Sequence, residues 1–156
     1  MIINDLLHTV LPLLFDLAIM AESQCDFVHT SHIACGKSIQ YDDDFSIIPL
    51  FLCEKNTACH LQRLNCFTQH NVPECMLILF RSGLFDISSS TLNLKICQKH
   101  RDALGIYWKR TSAKCRFTEH PTASRSKADR GASIQSCKEY WISTREILSV
   151  GTGKCI

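Results

Sequence analysis

Two short pairs of sulfur and nitrogen donors stand out in this chain. Cys97 and His100 are separated by two residues, Cys115 and His120 by four, and an arm of 14 residues joins the pairs. Thiolate sulfur and imidazole nitrogen are the ligands that zinc takes into a closed tetrahedral shell. The spacing therefore predicts a structural zinc site at Cys97, His100, Cys115 and His120, whose consequence is a folded domain rather than a reaction. The competing reading is chance proximity in a chain holding 10 Cys and 7 His. Cys66, His70 and Cys75, with Cys155 (or Cys59 or His60) as the fourth donor, form a weaker candidate for a second zinc site. Cys25, His29, His32 and Cys35 form a third compact group. For both, the rival reading is that a free cysteine is a small buried hydrophobe. Cys53 and Cys137 lie on apolar faces and read as packing.

Catalytic constellations fail on inspection. No Cys-Gly-x-Cys-Trp or Gly-x-Ser-x-Gly context surrounds a nucleophile. Gly151-Thr152-Gly153-Lys154 ends like a phosphate loop, but Leu148 stands where its first glycine belongs and Cys155 replaces the magnesium-binding hydroxyl. The His-x-Glu with Pro-Cys-x-x-Cys arrangement of zinc deaminases is also missing. The expectation is a protein that is not an enzyme, with no small-molecule substrate evident.

Positioning the donors requires elements, and the chain supplies several. Leu6, Leu7, Val10, Leu13, Leu14, Leu17 and Ala18 recur at helical spacing over residues 4 to 21, kinked by Pro12. Residues 22 to 46, with Gly36 and the acidic run Asp42 to Asp44, read as a solvated loop. Ile47 to Cys53 is a short apolar run interrupted by Pro49, equally an edge strand or a helix start. A helix is expected after Pro73, carrying Cys75, Met76, Leu79 and Phe80 and stopping at Gly83, with a polar break from Ser88 to Thr91. Cys97 and His100 fall on a knuckle or first helical turn, where side chains three apart share a face. Residues 109 to 130 read as a loop tied down by Cys115 and His120. A last helix is expected over residues 132 to 148, capped by Ser133 and ended by Gly151 and Gly153.

The string Ile96-Cys97-Gln98-Lys99-His100-Arg101-x-x-Leu104-Gly105-x-Tyr107-Trp108 is followed by Cys115, His120, Arg130-Gly131, a helix, and Val150-Gly151-Thr152-Gly153-Lys154-Cys155. This pattern resembles a Cys/His-rich module found in uncharacterised, often multidomain invertebrate proteins and taken to bind zinc. The resemblance covers residues 60 to 156, with a looser match from Cys66 through Phe85, and leaves residues 1 to 59 as a separate acidic, partly helical segment. In such modules the Gly-x-Gly-x-Cys element is followed by a further cysteine. Its absence here implies a module truncated at its C-terminus. The resemblance supplies no activity.

Length and composition bound the remaining choices. The chain of 156 residues is 46% hydrophobic, enough for one domain or two small ones with an ordinary core. Its formal net charge of +2 conceals a division, with residues 1 to 96 at −5 and residues 97 to 156 at +7. Lys109, Arg110, Lys114, Arg116, Arg125, Lys127 and Arg130 flank Tyr107, Trp108 and Phe117, a pattern able to neutralise phosphates and stack bases, though the same residues also describe a solvated loop with core aromatics. The apolar stretch Val10 to Ala21 lacks a preceding Lys or Arg and contains Asp16, which argues against a signal peptide and against a membrane span. The fold class expected is α+β, a small irregular α-rich domain stabilised by zinc. The function expected is a non-enzymatic intracellular interaction module, nucleus or cytoplasm, with a protein partner. The alternatives are a nucleic-acid-binding protein and a small secreted disulfide-linked protein.

Overall fold

The structure is a computed structural model that describes residues 24–30, 32–42, 47–66, 72–112, 114–117, 128 and 130–154. The helix expected over residues 4 to 21 lies outside these. Within them the fold is mixed α and β, built from short elements. Strand β1 (Ile47–Pro49) runs directly into a 3-10 turn, Leu50–Leu52, so the ambiguous apolar run is both a strand and a helical turn. Helices α1 (Ala58–Arg63) and α2 (Glu74–Arg81) follow, then the short α3 (Ser89–Leu92), strand β2 (Lys95–Cys97) and α4 (Gln98–Leu104). Strand β3 (Arg130–Gly131), α5 (Ile134–Thr144) and β4 (Gly153–Lys154) complete the order. No described helix is long and apolar enough to cross a membrane.

Two antiparallel ribbons pin distant segments together. β1 pairs β2 with Ile47 opposite Cys97 and Pro49 opposite Lys95, and the pairing continues where Leu50 N–H donates to Leu94 O at 2.7 Å. β3 pairs β4 with Gly131 opposite Gly153.

Helix α2 is the axle of the molecule. Cys75, Ile78 and Leu79 face one core, with Phe27, Leu50, Cys53, Ile96 and Leu104. Leu77 and Phe80 face the other, with Leu61, Cys66, Cys137, Leu148 and Val150. A helix apolar on every side has to be buried on every side. The cores thus draw on chain from both sides of residue 60, and Cys53 and Cys137 are fully buried within them. The helix begins after Pro73 and ends in a Schellman turn: Gly83 takes φ 78°, its N–H donates to Phe80 O, and Leu84 N–H donates to Leu79 O.

Both ends of α2 carry buried charge. Glu74 accepts two hydrogen bonds from Arg101, at 3.1 and 2.6 Å, and others from Tyr41 Oη and Ile106 N–H. Arg81 donates to the carbonyls of Leu104, Gly105 and Val150, pairs with His60 Nε2 at 2.9 Å, and lies 4.4 Å above the Trp108 ring.

Two expectations needed revision at element boundaries. The polar break at Ser88 is a capping box that starts α3: Ser88 Oγ accepts from Thr91 N–H while Thr91 Oγ1 accepts from Ser88 N–H. The last helix keeps its Ser133 cap, at 3.1 Å from Ser136 N–H, but stops at Thr144 because Arg145 turns left-handed at φ 62°. Leu148 and Val150 reach the second core from irregular chain.

Candidate metal centre

The site grows from the end of β2. Cys97 is the N-terminal flank of α4, and the first turn of that helix puts His100 Nδ1 3.1 Å from Cys97 Sγ. The free edge of β2 receives the segment around Cys25: Asp26 N–H donates to Lys95 O at 2.8 Å, and Lys95 N–H donates to Asp26 Oδ2 at 2.6 Å. This clamp delivers Cys25 Sγ to 3.7 Å from His100 Nδ1, where it also accepts from Cys97 N–H. A second clamp brings Cys35. Lys99 N–H donates to Gly36 O, Ser38 N–H donates to Gln98 Oε1, and Ser38 Oγ bonds Asp102 Oδ2 at 2.5 Å, leaving Cys35 Sγ 3.7 Å from His100 Nδ1.

The four donor atoms of Cys25, Cys35, Cys97 and His100 lie within 4.8 Å of one another and could hold a metal ion. Cys25, Cys97 and His100 are buried, and Cys35 forms the exposed edge. Burial holds His100 below the usual imidazole range, and so neutral, as a ligand must be. Burial pushes the Cys25 thiol up to about 12. Burial would raise Cys97 as well, but the backbone N–H groups of His100 and Gly36 and the thiols of Cys25 and Cys35 all donate toward it and leave it lowered. Of the two buried thiols of the cluster, Cys97 is thus the one held below the usual thiol range. His100 Nε2, the ring nitrogen turned away from the sulfurs, is buried and has no hydrogen-bond partner among the described residues.

No family model, no curated protein and no solved structure matches this chain.

Of the residues singled out by spacing, the structure brings Cys97 and His100 together and supplies Cys25 and Cys35 beside them. Cys115 is not a member of the cluster. It runs beside β4, where Arg116 N–H donates to Gly153 O. His120 lies outside the described residues. In the second candidate set, Cys66 is buried in one core and donates to Ala132 O at 3.2 Å, and Cys75 is buried in the other core. His70 and Cys155 lie outside the described residues. From the third group, Cys25 and Cys35 enter the centre while His29 and His32 stay exposed and outside it. The missed signal was the 61-residue separation between Cys35 and Cys97: the docking of residue 26 onto β2 and of Gly36 and Ser38 onto α4 brings the two half-sites together.

Proposed function

We propose that this chain is a non-enzymatic interaction module whose N-terminal segment is stapled to β2 and α4 by a zinc ion held by Cys25, Cys35, Cys97 and His100. The observation that carries the reading is the shape of the donor cluster. Zinc–sulfur bonds of about 2.3 Å and a zinc–nitrogen bond of about 2.05 Å at tetrahedral angles put sulfur and nitrogen about 3.6 Å apart. The three sulfur-to-Nδ1 distances here are 3.1, 3.7 and 3.7 Å. Three thiolates and an imidazole favour zinc over hard cations such as magnesium and calcium. Four protein donors leave no position for a reactive water, which argues for a structural role. Thiolate ligation requires reduced cysteines, in keeping with an intracellular setting.

The test is metal content by mass spectrometry of protein purified under reducing conditions. One zinc per chain is expected, lost in Cys25→Ser and Cys97→Ser and retained in Cys115→Ser. Zinc that disappears with Cys115 but survives loss of Cys25 overturns this ligand set and restores the pairing expected from spacing.

A second reading, nucleic-acid binding by the basic half, is favoured by Lys109, Lys114 and Arg116, which are exposed near the half-buried Tyr107 and Trp108. Other members of that stripe also anchor the fold. Arg110 donates to Gly151 O and Leu64 O, and Phe117 packs edge-on against Tyr140. Arg125 and Lys127 lie outside the described residues.

A further inference from the structure

Away from the metal centre, the chain after α4 folds back against the turn that follows α5 and encloses a recess of about 150 Å³. Its polar lining is Arg110, Thr111, Ser112, Arg116, Ser149 and Thr152, with Ile147 and Leu148 as an apolar floor and Trp108 as one wall. Among the described residues the lining includes two arginines and four hydroxyl side chains, and neither an Asp nor a Glu. A surface recess of that composition attracts an oxyanion, because every polar group in it can donate a hydrogen bond and two of them carry positive charge.

The recess is also preorganised. Arg110 is fixed by its bonds to Gly151 O at 2.9 Å and Leu64 O at 2.6 Å, so it does not need to be ordered on binding. The turn that presents Ser149 and Thr152 is closed by Thr152 N–H donating to Ser149 O at 2.9 Å. Arg116 is exposed at the rim of the recess.

Trp108 and Thr111 belong to two spaces at once. On their other side opens a cleft of about 700 Å³, within the usual range for small-molecule sites, whose lining includes Tyr107, Lys99, Lys109 and Gln40. Arg81 lies over the Trp108 ring at 4.4 Å from its centroid and holds it in place beside both spaces. The recess alone is too small for a whole organic ligand, whereas the two spaces together suit a phosphate ester carrying a planar ring. An aromatic wall accepts a planar ring by stacking, and Lys99 and Lys109 add positive charge beside it, partly offset by the carboxylate of Asp102 in the same lining.

We propose that the Arg110–Arg116 recess takes the phosphoryl group of a nucleotide and that the cleft across Trp108 takes its base. The site lies outside the metal centre and deepens the nucleic-acid reading, from which it takes Lys109, Arg116, Tyr107 and Trp108, by naming the ligand. The nucleotide could be free or part of a single strand, and the experiment separates the two sources.

Calorimetric titration of the zinc-loaded full chain at low salt uses inorganic phosphate, a nucleoside, the matching nucleoside 5′-monophosphate and a single-stranded oligonucleotide. The monophosphate is expected to bind saturably and more tightly than phosphate or nucleoside alone. Arg116→Ala should weaken it about tenfold, the effect of losing one charge-assisted hydrogen bond, with an unchanged circular dichroism spectrum and zinc content. Lys109→Ala should weaken the monophosphate but leave inorganic phosphate unaffected. An oligonucleotide that binds more tightly than the monophosphate, with a steep salt dependence, assigns the site to a strand. Equal affinities assign it to a free nucleotide, and the nucleic-acid reading then falls while this proposal stands. Phosphate binding as tightly as the monophosphate overturns the role of the cleft. Absence of saturable binding by all four ligands, or equal affinity in Arg116→Ala, overturns the site, and the metal reading, tested by zinc content, is untouched.

Discussion

Replacing Glu74 by alanine is expected to damage the metal centre from a distance. Glu74 is fully buried at the start of α2 and accepts from Arg101 Nε at 3.1 Å and Nη2 at 2.6 Å, from Tyr41 Oη at 3.4 Å and from Ile106 N–H at 3.3 Å. Among the described residues, removing the carboxylate takes away the ion-pair partner of the buried Arg101 cation and leaves it the Tyr41 ring 4.4 Å away. Breaking such a pair costs about 3–5 kcal/mol, and the orphaned Ile106 N–H adds about 1 kcal/mol. A loss of about 4–6 kcal/mol is comparable to the whole stability of a small domain, about 5–15 kcal/mol. Because Arg101 follows His100 on α4, the ligand's own helix is the element released. Urea unfolding of the zinc-loaded protein should show this loss, and titration with a competing chelator should show weakened zinc binding. The double variant Glu74→Leu with Arg101→Met should be more stable than Glu74→Leu alone, since it removes the stranded charge, and a double-mutant cycle should give a coupling of about 2 kcal/mol or more. A Glu74→Ala protein within 1 kcal/mol of the wild type, or a cycle that closes to zero, refutes the reasoning.

Gly105 is needed for close approach, since a Cβ there would lie 2.5 Å from Glu74 Oε1 and 2.6 Å from Arg101 O; Gly105→Ala should destabilise by about 1–3 kcal/mol, and an unchanged melting temperature would contradict that. Burial, together with Arg81 and Arg63, depresses His60 to about 4, below its unfolded value near 6.5. Between those values the unfolded chain holds a proton that the folded chain refuses, so this stability is complete above about pH 6.5 and is lost as the pH falls toward 4. His60→Gln should therefore flatten the stability profile on the acid side, and parallel wild-type and variant profiles from pH 7.5 to 4.5 would exclude the assignment. Arg81→Met leaves the carbonyls of Leu104, Gly105 and Val150 without their donor and should cost about 3 kcal/mol or more in urea unfolding, at about 1–3 kcal/mol for each group left unsatisfied. A smaller loss would show that water or backbone rearrangement takes its place.

Local signals in the sequence were readable where local chemistry decides the structure. Pro73 and Gly83 bracket α2, Ser133 caps α5, and Cys97-x-x-His100 marks a helical first turn because those contacts span only a few residues. The α+β class was legible for the same reason. What stayed hidden depends on partners far away in the chain. Arg145 ends α5 with a backbone conformation that its side chain does not advertise. Cys25 and Cys35 were visible as a compact group with His29 and His32, but nothing within residues 25 to 35 states that Asp26 caps the edge of β2 or that Ser38 reaches Gln98 and Asp102. The basic stripe suggested one surface, and the structure divides it between carbonyl anchoring by Arg110 and exposed charge at Arg116.

The separation of the two half-sites makes the centre a long-range closure of the chain. Many small zinc modules gather their ligands from one short stretch, and the ion can nucleate such a module by itself. Here 61 residues lie between Cys35 and Cys97, and closing a loop of that length costs roughly 4 kcal/mol in chain entropy. Cys97 and His100 lie on one helical turn, whereas Cys25 is brought in by the residue 26 clamp on β2 and Cys35 by the bonds of Gly36 and Ser38 to α4. An ion held by all four donors would therefore tie both clamps to the same helical turn, and its retention would report whether both are closed.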